Sequence, residues 1–197
     1  MTDLYLTISQ LNQIFYNLTI TMLGLNPTSF TNKYQPVRIS WASDGQPGWN
    51  QFEDVAFIRV IPRDDEYNRI RDMTFTQIDS QNINQAMSYT RVIEVFWTLY
   101  GPNSEDNLQT IRDNLFYDSN HDTLMNNNLY MVMDVPEPKR LPEFFESKWW
   151  ERVDFSVSFN ELVTRNITIP YVKQVPIIFY PSTPTGATPI INISVSD

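Results

Sequence analysis

A chain of 197 residues, 42% hydrophobic and 19% charged, has the size and composition of one globular domain with room for an appendage, not of a disordered segment. It has no cysteine and a single histidine, His121, which excludes a disulfide framework, a Cys nucleophile, a thiolate or multi-His metal site and any His-dependent triad lacking His121. Its 14 basic and 23 acidic residues leave a net charge of −9, which argues against a phosphate clamp on nucleic acid and against docking on an anionic membrane.

In chain order, the first predicted element is a helix. Leu11, Ile14, Phe15, Leu18 and Met22 fall on one face, Ser9 is the expected N-cap and Gly24 the expected stop. Residues 26–50 read as irregular, with Val37–Trp41 as a short strand. Val55–Ile61 is a nearly continuous apolar strand ended by Pro62, followed by the charged turn Arg63-Asp64-Asp65-Glu66. Tyr67 to Asn84 is polar and reads as a long loop or an arm with weak β character, a kind of segment that is often functional.

Ser88–Tyr100 is the clearest strand. Arg91, Ile93, Val95, Trp97 and Leu99 share one face, while Thr90, Val92, Glu94, Phe96 and Thr98 share the other. Gly101-Pro102-Asn103 turns the chain into a helix capped by Ser104, with Leu108, Ile111, Leu115 and Phe116 as its buried stripe. Leu129–Val135 follows as a strand. The run from Trp149 to Val163 alternates Val153, Phe155, Val157 and Phe159 against Arg152, Asp154, Ser156, Ser158 and Asn160, the pattern of an antiparallel strand with one wet side. From residue 170 the composition changes: five of the 13 prolines lie in 170–197, with two apolar strings, Val175–Tyr180 and Ile190–Val195. The expected division is an α+β domain over 1–169 and a Pro-rich extended arm over 170–197, of the sort that adds to a partner's sheet edge.

Chemical motifs are scarce. Asp64-Asp65-Glu66 has the oxygen ligands a hard cation wants, but reads better as a solvated turn without a Gly-containing calcium-loop spacing. Asp118, Asn120, His121 and Asp122 read as a plain turn. The glycines at 24, 45, 48, 101 and 186 fit no phosphate-binding loop, and there is no GxSxG elbow. Trp149-Trp150 could stack a sugar or a base, though a pair with one ring in the core and one at an interface is the simpler expectation. No enzyme activity, metal or cofactor is expected. No span of about 20 apolar residues is present, and Met1-Thr2-Asp3 does not open a secretory signal, so synthesis in a cytoplasm is expected.

One resemblance is more specific. A first helix, a strand ending at Pro62, the Arg91–Tyr100 strand running into Tyr100-Gly101-Pro102-Asn103-Ser104, a helix over 104–116, Asn128-Leu129-Tyr130 and the strand motif Arg152-Val153-Asp154-Phe155 together resemble the tail terminator, or neck terminator, proteins of tailed bacteriophages over about residues 4–165. The resemblance implies an α+β fold: a mixed, mostly antiparallel sheet packed against the N-terminal helix and the helix near 104–116; the extended β-like C-terminal arm lies outside the resemblance. It implies a virion protein of the phage neck that forms a homohexameric ring on the head-proximal end of the tail tube. That ring stops tube polymerisation and faces the head connector or stopper, without catalysis or cofactor.

The implied partners are further copies of the chain, the tail tube protein, the connector or stopper, a tail sheath, and genomic DNA passing through the lumen unheld. A ring of such acidic subunits offers DNA no phosphate contacts, unless Arg38, Arg63, Arg69 and Arg71 line its lumen. Candidate contacts between subunits or rings are Tyr100, Trp149 and Trp150, the Asp64, Asp65 and Glu66 turn, and Val175, Ile177 and Phe179. The acidic, cysteine-free, aromatic-rich composition is shared by a head–tail stopper and by a tube or baseplate protein, the first alternative; an enzyme or carbohydrate-binding module using Trp149 or Trp150 is the second.

Overall fold

Two strands of 19 residues, β4 (Asn82–Tyr100) and β9 (Arg152–Pro170), run antiparallel in unbroken register from Asn82↔Pro170 to Tyr100↔Arg152. At about 3.4 Å per residue they form a ribbon roughly 60 Å long that organises everything else. The structure is a computed structural model and describes residues 3–172 apart from positions 32 and 44. The expected arm and its candidate residues Val175, Ile177 and Phe179 therefore lie outside the described residues, except for the first few positions from 170.

The sheet has seven strands. β2 (Val55–Pro62) pairs with the core half of β4, and β1 (Val37–Ile39) adds to β2 in parallel. β5 (Leu129–Met131) and β6 (Lys139–Arg140) line the other edge of β9. β3 (Asp72–Gln77) pairs only with the first half of β4. A two-stranded hairpin, β7 (Glu143–Phe145) and β8 (Lys148–Trp150), stands apart from this sheet. The fold is thus α+β, with helices on a mixed, mostly antiparallel sheet.

Alternation puts Ile93, Val95, Trp97 and Leu99 on the same face as Val153, Phe155, Val157 and Phe159, and all are buried. Helix α1 (Ile8–Met22) lays Leu11, Phe15, Leu18 and Met22 on that face. Its cap is Thr7, not Ser9. The Thr7 hydroxyl accepts from Gln10 N at 3.2 Å while the Gln10 side chain accepts from Thr7 N at 2.8 Å, a reciprocal box that a Ser9 cap lacks. Gly24 ends the helix region with φ +63°, as expected.

Helix α2 (Ser104–Asn114) buries Leu108 and Ile111, with Leu115 just beyond, but Phe116 lies outside the helix and is exposed. Ser104 is the first helical residue and not the cap. Asp54, far away in sequence, holds the entry by accepting from Asn103 N at 2.9 Å and Asn103 Nδ2 at 2.8 Å.

Three further expectations fail for physical reasons. Asp118–Met125 is a helix, α3, and not a turn; buried Asn120 donates to the Asn114 carbonyl at 2.7 Å and fixes α3 against the end of α2. β5 stops at Met131, short of Val135, although Val132 N still reaches Ser158 O at 2.9 Å. The Trp149–Val163 run breaks at Glu151, and Trp149 and Trp150 belong to the hairpin, turned by Glu146 and Ser147 at φ 48° and 62°.

Candidate docking surfaces at the two ends of the sheet

The residues singled out in the sequence separate into two groups. β2 spans Val55, opposite Tyr100, to Pro62, opposite Ile93, so the Tyr100 end and the Asp64 end lie roughly 24 Å apart along the strands.

At the Tyr100 end the side chains are aromatic. Trp49, from the irregular 40–52 segment, has its ring centroid 5.0 Å from Phe57, 5.6 Å from Tyr100 and 6.2 Å from Trp150. Arg38 lies over Trp49 and Phe57 and donates to the Gln35 and Pro47 carbonyls. Tyr100 donates its hydroxyl to Glu143 Oε2 at 3.0 Å, and burial together with that carboxylate pushes its phenol up to about 12.

The structure therefore brings Tyr100 and Trp150 into one cluster. Trp150 is half-buried there, away from the main core, and Trp149 is 67% exposed. Trp149 packs against Phe144 with centroids 5.1 Å apart and ring planes tilted by 56°, and Phe144 and Phe145 are also exposed, so the hairpin presents an aromatic knob. Neither the hairpin nor the part played by Trp49 was anticipated. The two-residue turn lacks the Asn-Gly or Asp-Gly signal, and Trp49 lies among prolines and glycines.

At the other end, Asp64 pairs with Arg69 at 2.9 Å on the surface, and Asp65 Oδ1 accepts from Tyr67 N at 3.1 Å to cap the short turn Glu66–Arg69. Glu66 sits exposed in that turn. These acids shape a bend rather than gather around a point, and among the described residues no group of three or more His, Asp or Glu side chains could hold a metal.

Beyond the bend, the 67–84 segment, read as a long loop or an arm with weak β character, takes the second form: a three-stranded β-arm formed by β3 with the outer halves of β4 and β9. The register sets Met73, Phe75, Met87 and Ile167 on the face that carries the core further along, and leaves Asp72, Thr74, Asn84, Asn166 and Thr168 on the other. Met73, Phe75 and Ile167 are 51%, 59% and 59% exposed, so this apolar face has no cover among the described residues.

A protein of this kind, a sheet with an aromatic knob at one end and a half-apolar arm at the other, exposes at both ends apolar surface of the sort that marks protein–protein contact. The model of the phage neck terminator protein family matches residues 9–183, and the chain belongs to that family. It is a structural component of the phage neck and so of the virion. No curated protein matches the chain.

Proposed function

We propose that the chain forms a homohexameric ring that caps the head-proximal end of the tail tube, halts tube growth and joins the tube to the head connector or stopper, with no bond made or broken. What supports this is the pair of unlike, unsaturated surfaces at opposite ends of one rigid sheet. A ring held between two different partners needs two different faces, and a head-to-tail contact between copies needs a third and a fourth. Tyr100, Trp149 and Trp150 serve one face, while the Asp64-Asp65-Glu66 bend and the arm serve the other or the lumen. The division into a 1–169 domain and a 170–197 arm belongs to this proposal. The family match continues past that boundary to 183. Removal of 170–197 is expected to weaken the oligomer, and an unchanged ring on sizing would refute that role for Val175, Ile177 and Phe179.

The four arginines that could hold DNA are otherwise engaged. Arg38 is buried, Arg63 donates to Ser158 Oγ at 3.2 Å, Arg69 pairs with Asp64, and Arg71 lies 3.8 Å over Tyr89. That favours a lumen which lets DNA slide. Imaging the purified protein alone and with polymerised tail tubes tests the function. Rings seated on tube ends are expected; binding to free connectors but not to tubes would make the protein a stopper instead.

A further inference from the structure

We propose that the uncovered face of the sheet receives a carboxylate from a second copy of this chain, and that Arg59 binds it. The inference rests on the ring proposed above. Among the described residues, the helices cover only the face that carries Trp97 and Phe155. On the opposite face a cavity of about 370 Å³ opens between Trp41 and the 136–141 segment, floored by Phe96, Thr98 and Ser156.

Arg59 reaches into this cavity from β2. Its guanidinium carbon lies 4.3 Å from the Phe96 ring centroid and 5.0 Å from that of Trp41. Its Nε is buried without a hydrogen-bond partner, and among the described residues no carboxylate pairs with it. The acids on the cavity wall are already engaged: Asp154 accepts from Arg152 at 2.8 and 2.9 Å, and Glu137 pairs with Arg112 at 2.9 Å. Lys139, on the same wall, also lacks a carboxylate among the described residues. In a chain with 23 acids, two cations of one cavity have no counter-ion among the described residues. A guanidinium held between two rings is already ordered, and its free Nη edge matches a carboxylate.

The surroundings select the ligand. Glu94, Asp134 and Asp65 line the adjoining cavity against one cation, Arg63, which already donates to Ser158, so a polyphosphate backbone laid along the face would meet a net negative charge. A lone carboxylate flanked by an apolar side chain meets Arg59 and the walls of Trp41, Pro136 and Leu141. Each copy also exposes carboxylates such as Glu66, Asp106 and Asp122 that pair with no cation among the described residues. A head-to-tail ring sets one surface of each copy on a different surface of the next, so an unpaired carboxylate of one copy can meet the unpaired Arg59 of its neighbour.

The test is the assembly of the full chain by analytical ultracentrifugation across a concentration series, for wild type, R59Q and S156D. S156D puts a carboxylate into the cavity from within and leaves the rings around Arg59 intact, so it serves even if R59Q folds poorly. Each folded variant is expected to need at least about tenfold more protein for half assembly, the effect of one charge-assisted hydrogen bond. Rings formed by S156D at wild-type concentrations overturn the inference and leave the ring standing. A wild type that remains monomeric, alone and with tail tubes, overturns both. Arg59-dependent retention of a short DNA duplex overturns it in favour of phosphate.

Discussion

Arg91 and Glu161 face each other across β4 and β9 at the end of the helix-covered half of the sheet, with Arg91 Nε donating to Glu161 Oε2 at 2.6 Å. The pair also fastens the chain entering α1. Glu161 Oε1 accepts from Leu6 N at 2.8 Å, and Arg91 Nη2 donates to Leu6 O at 2.6 Å. Every polar atom of Leu6 and both charges are thus satisfied in a place where Glu161 is 1% exposed.

Removing one partner strands the other in a dry site. Glu161→Leu or Arg91→Met alone is expected to cost about 3–5 kcal/mol in urea unfolding, while the double change R91M/E161L costs less than the two singles combined. Additive losses would mean the two side chains act independently.

Within the core, Trp97 donates its indole N–H to Thr19 Oγ1 at 2.9 Å, and Thr19 in turn donates to the Phe15 carbonyl at 2.7 Å. Thr19→Val keeps the shape and deletes the acceptor, so about 1–3 kcal/mol of stability should be lost, and Thr19→Ser should restore most of it. Equal stability of the valine variant would mean that water or another group reaches Trp97.

Gly101 turns β4 towards α2 at φ +110°, and a Cβ there would lie 2.5 Å from Asp54 Oδ1 and 2.6 Å from the Glu53 carbonyl. Gly101→Ala should therefore destabilise by more than the roughly 1–3 kcal/mol of backbone strain alone, because it also pushes away the carboxylate that holds Asn103. Thermal unfolding compared with Gly45→Ala, where nothing lies within 4 Å, separates the steric part.

Tyr100 ionises at about 12 in the folded protein against an ordinary 10.0. The unfolded chain gives up this proton first, so the contribution of the site to stability is complete below pH 10 and is lost as the pH rises towards 12. Absorbance titration near the phenolate band should show a tyrosine retarded to about 12 in the wild type and lost in Tyr100→Phe, while Tyr16, also raised by burial, lags in both. Ionisation of Tyr100 at the ordinary value would place it in solvent.

The arm should be separable from folding. Phe75→Ser with Ile167→Ser removes exposed apolar surface, so stability should move by about 0.5 kcal/mol per site or less while ring formation or tail joining fails. Deletion of 67–84 should likewise leave a folded monomer that joins tails poorly. Normal infectious particles from either variant would make the arm a spacer.

Much of the fold is legible in the chain because its core elements have clean periods. The Leu11–Met22 stripe, the Ile93–Leu99 and Val153–Phe159 alternations and the stop at Pro62 each bury what they announce. The elements missed or left open between two readings lack that signal. α3 is written in Asp, Ser and Asn, which favour turns, and is held by Asn120. β3 has six exposed residues and so no buried face to impose a pattern. The aromatic end was half visible: Trp149, Trp150 and Tyr100 stood out by type, whereas Trp49 joins them from a segment with no regular element.

The sequence alone determined the class of the molecule: an acidic, cysteine-free α+β chain whose apolar periods specify one sheet face and the helices that cover it, because local period and burial are read residue by residue. Only the tertiary structure decided where unspent surface remains. Register across 70 residues joins Arg91 to Glu161, sends the outer halves of β4 and β9 beyond the helices and, among the described residues, leaves Arg59 without a carboxylate. Those are properties of which strands meet, and no single segment contains them.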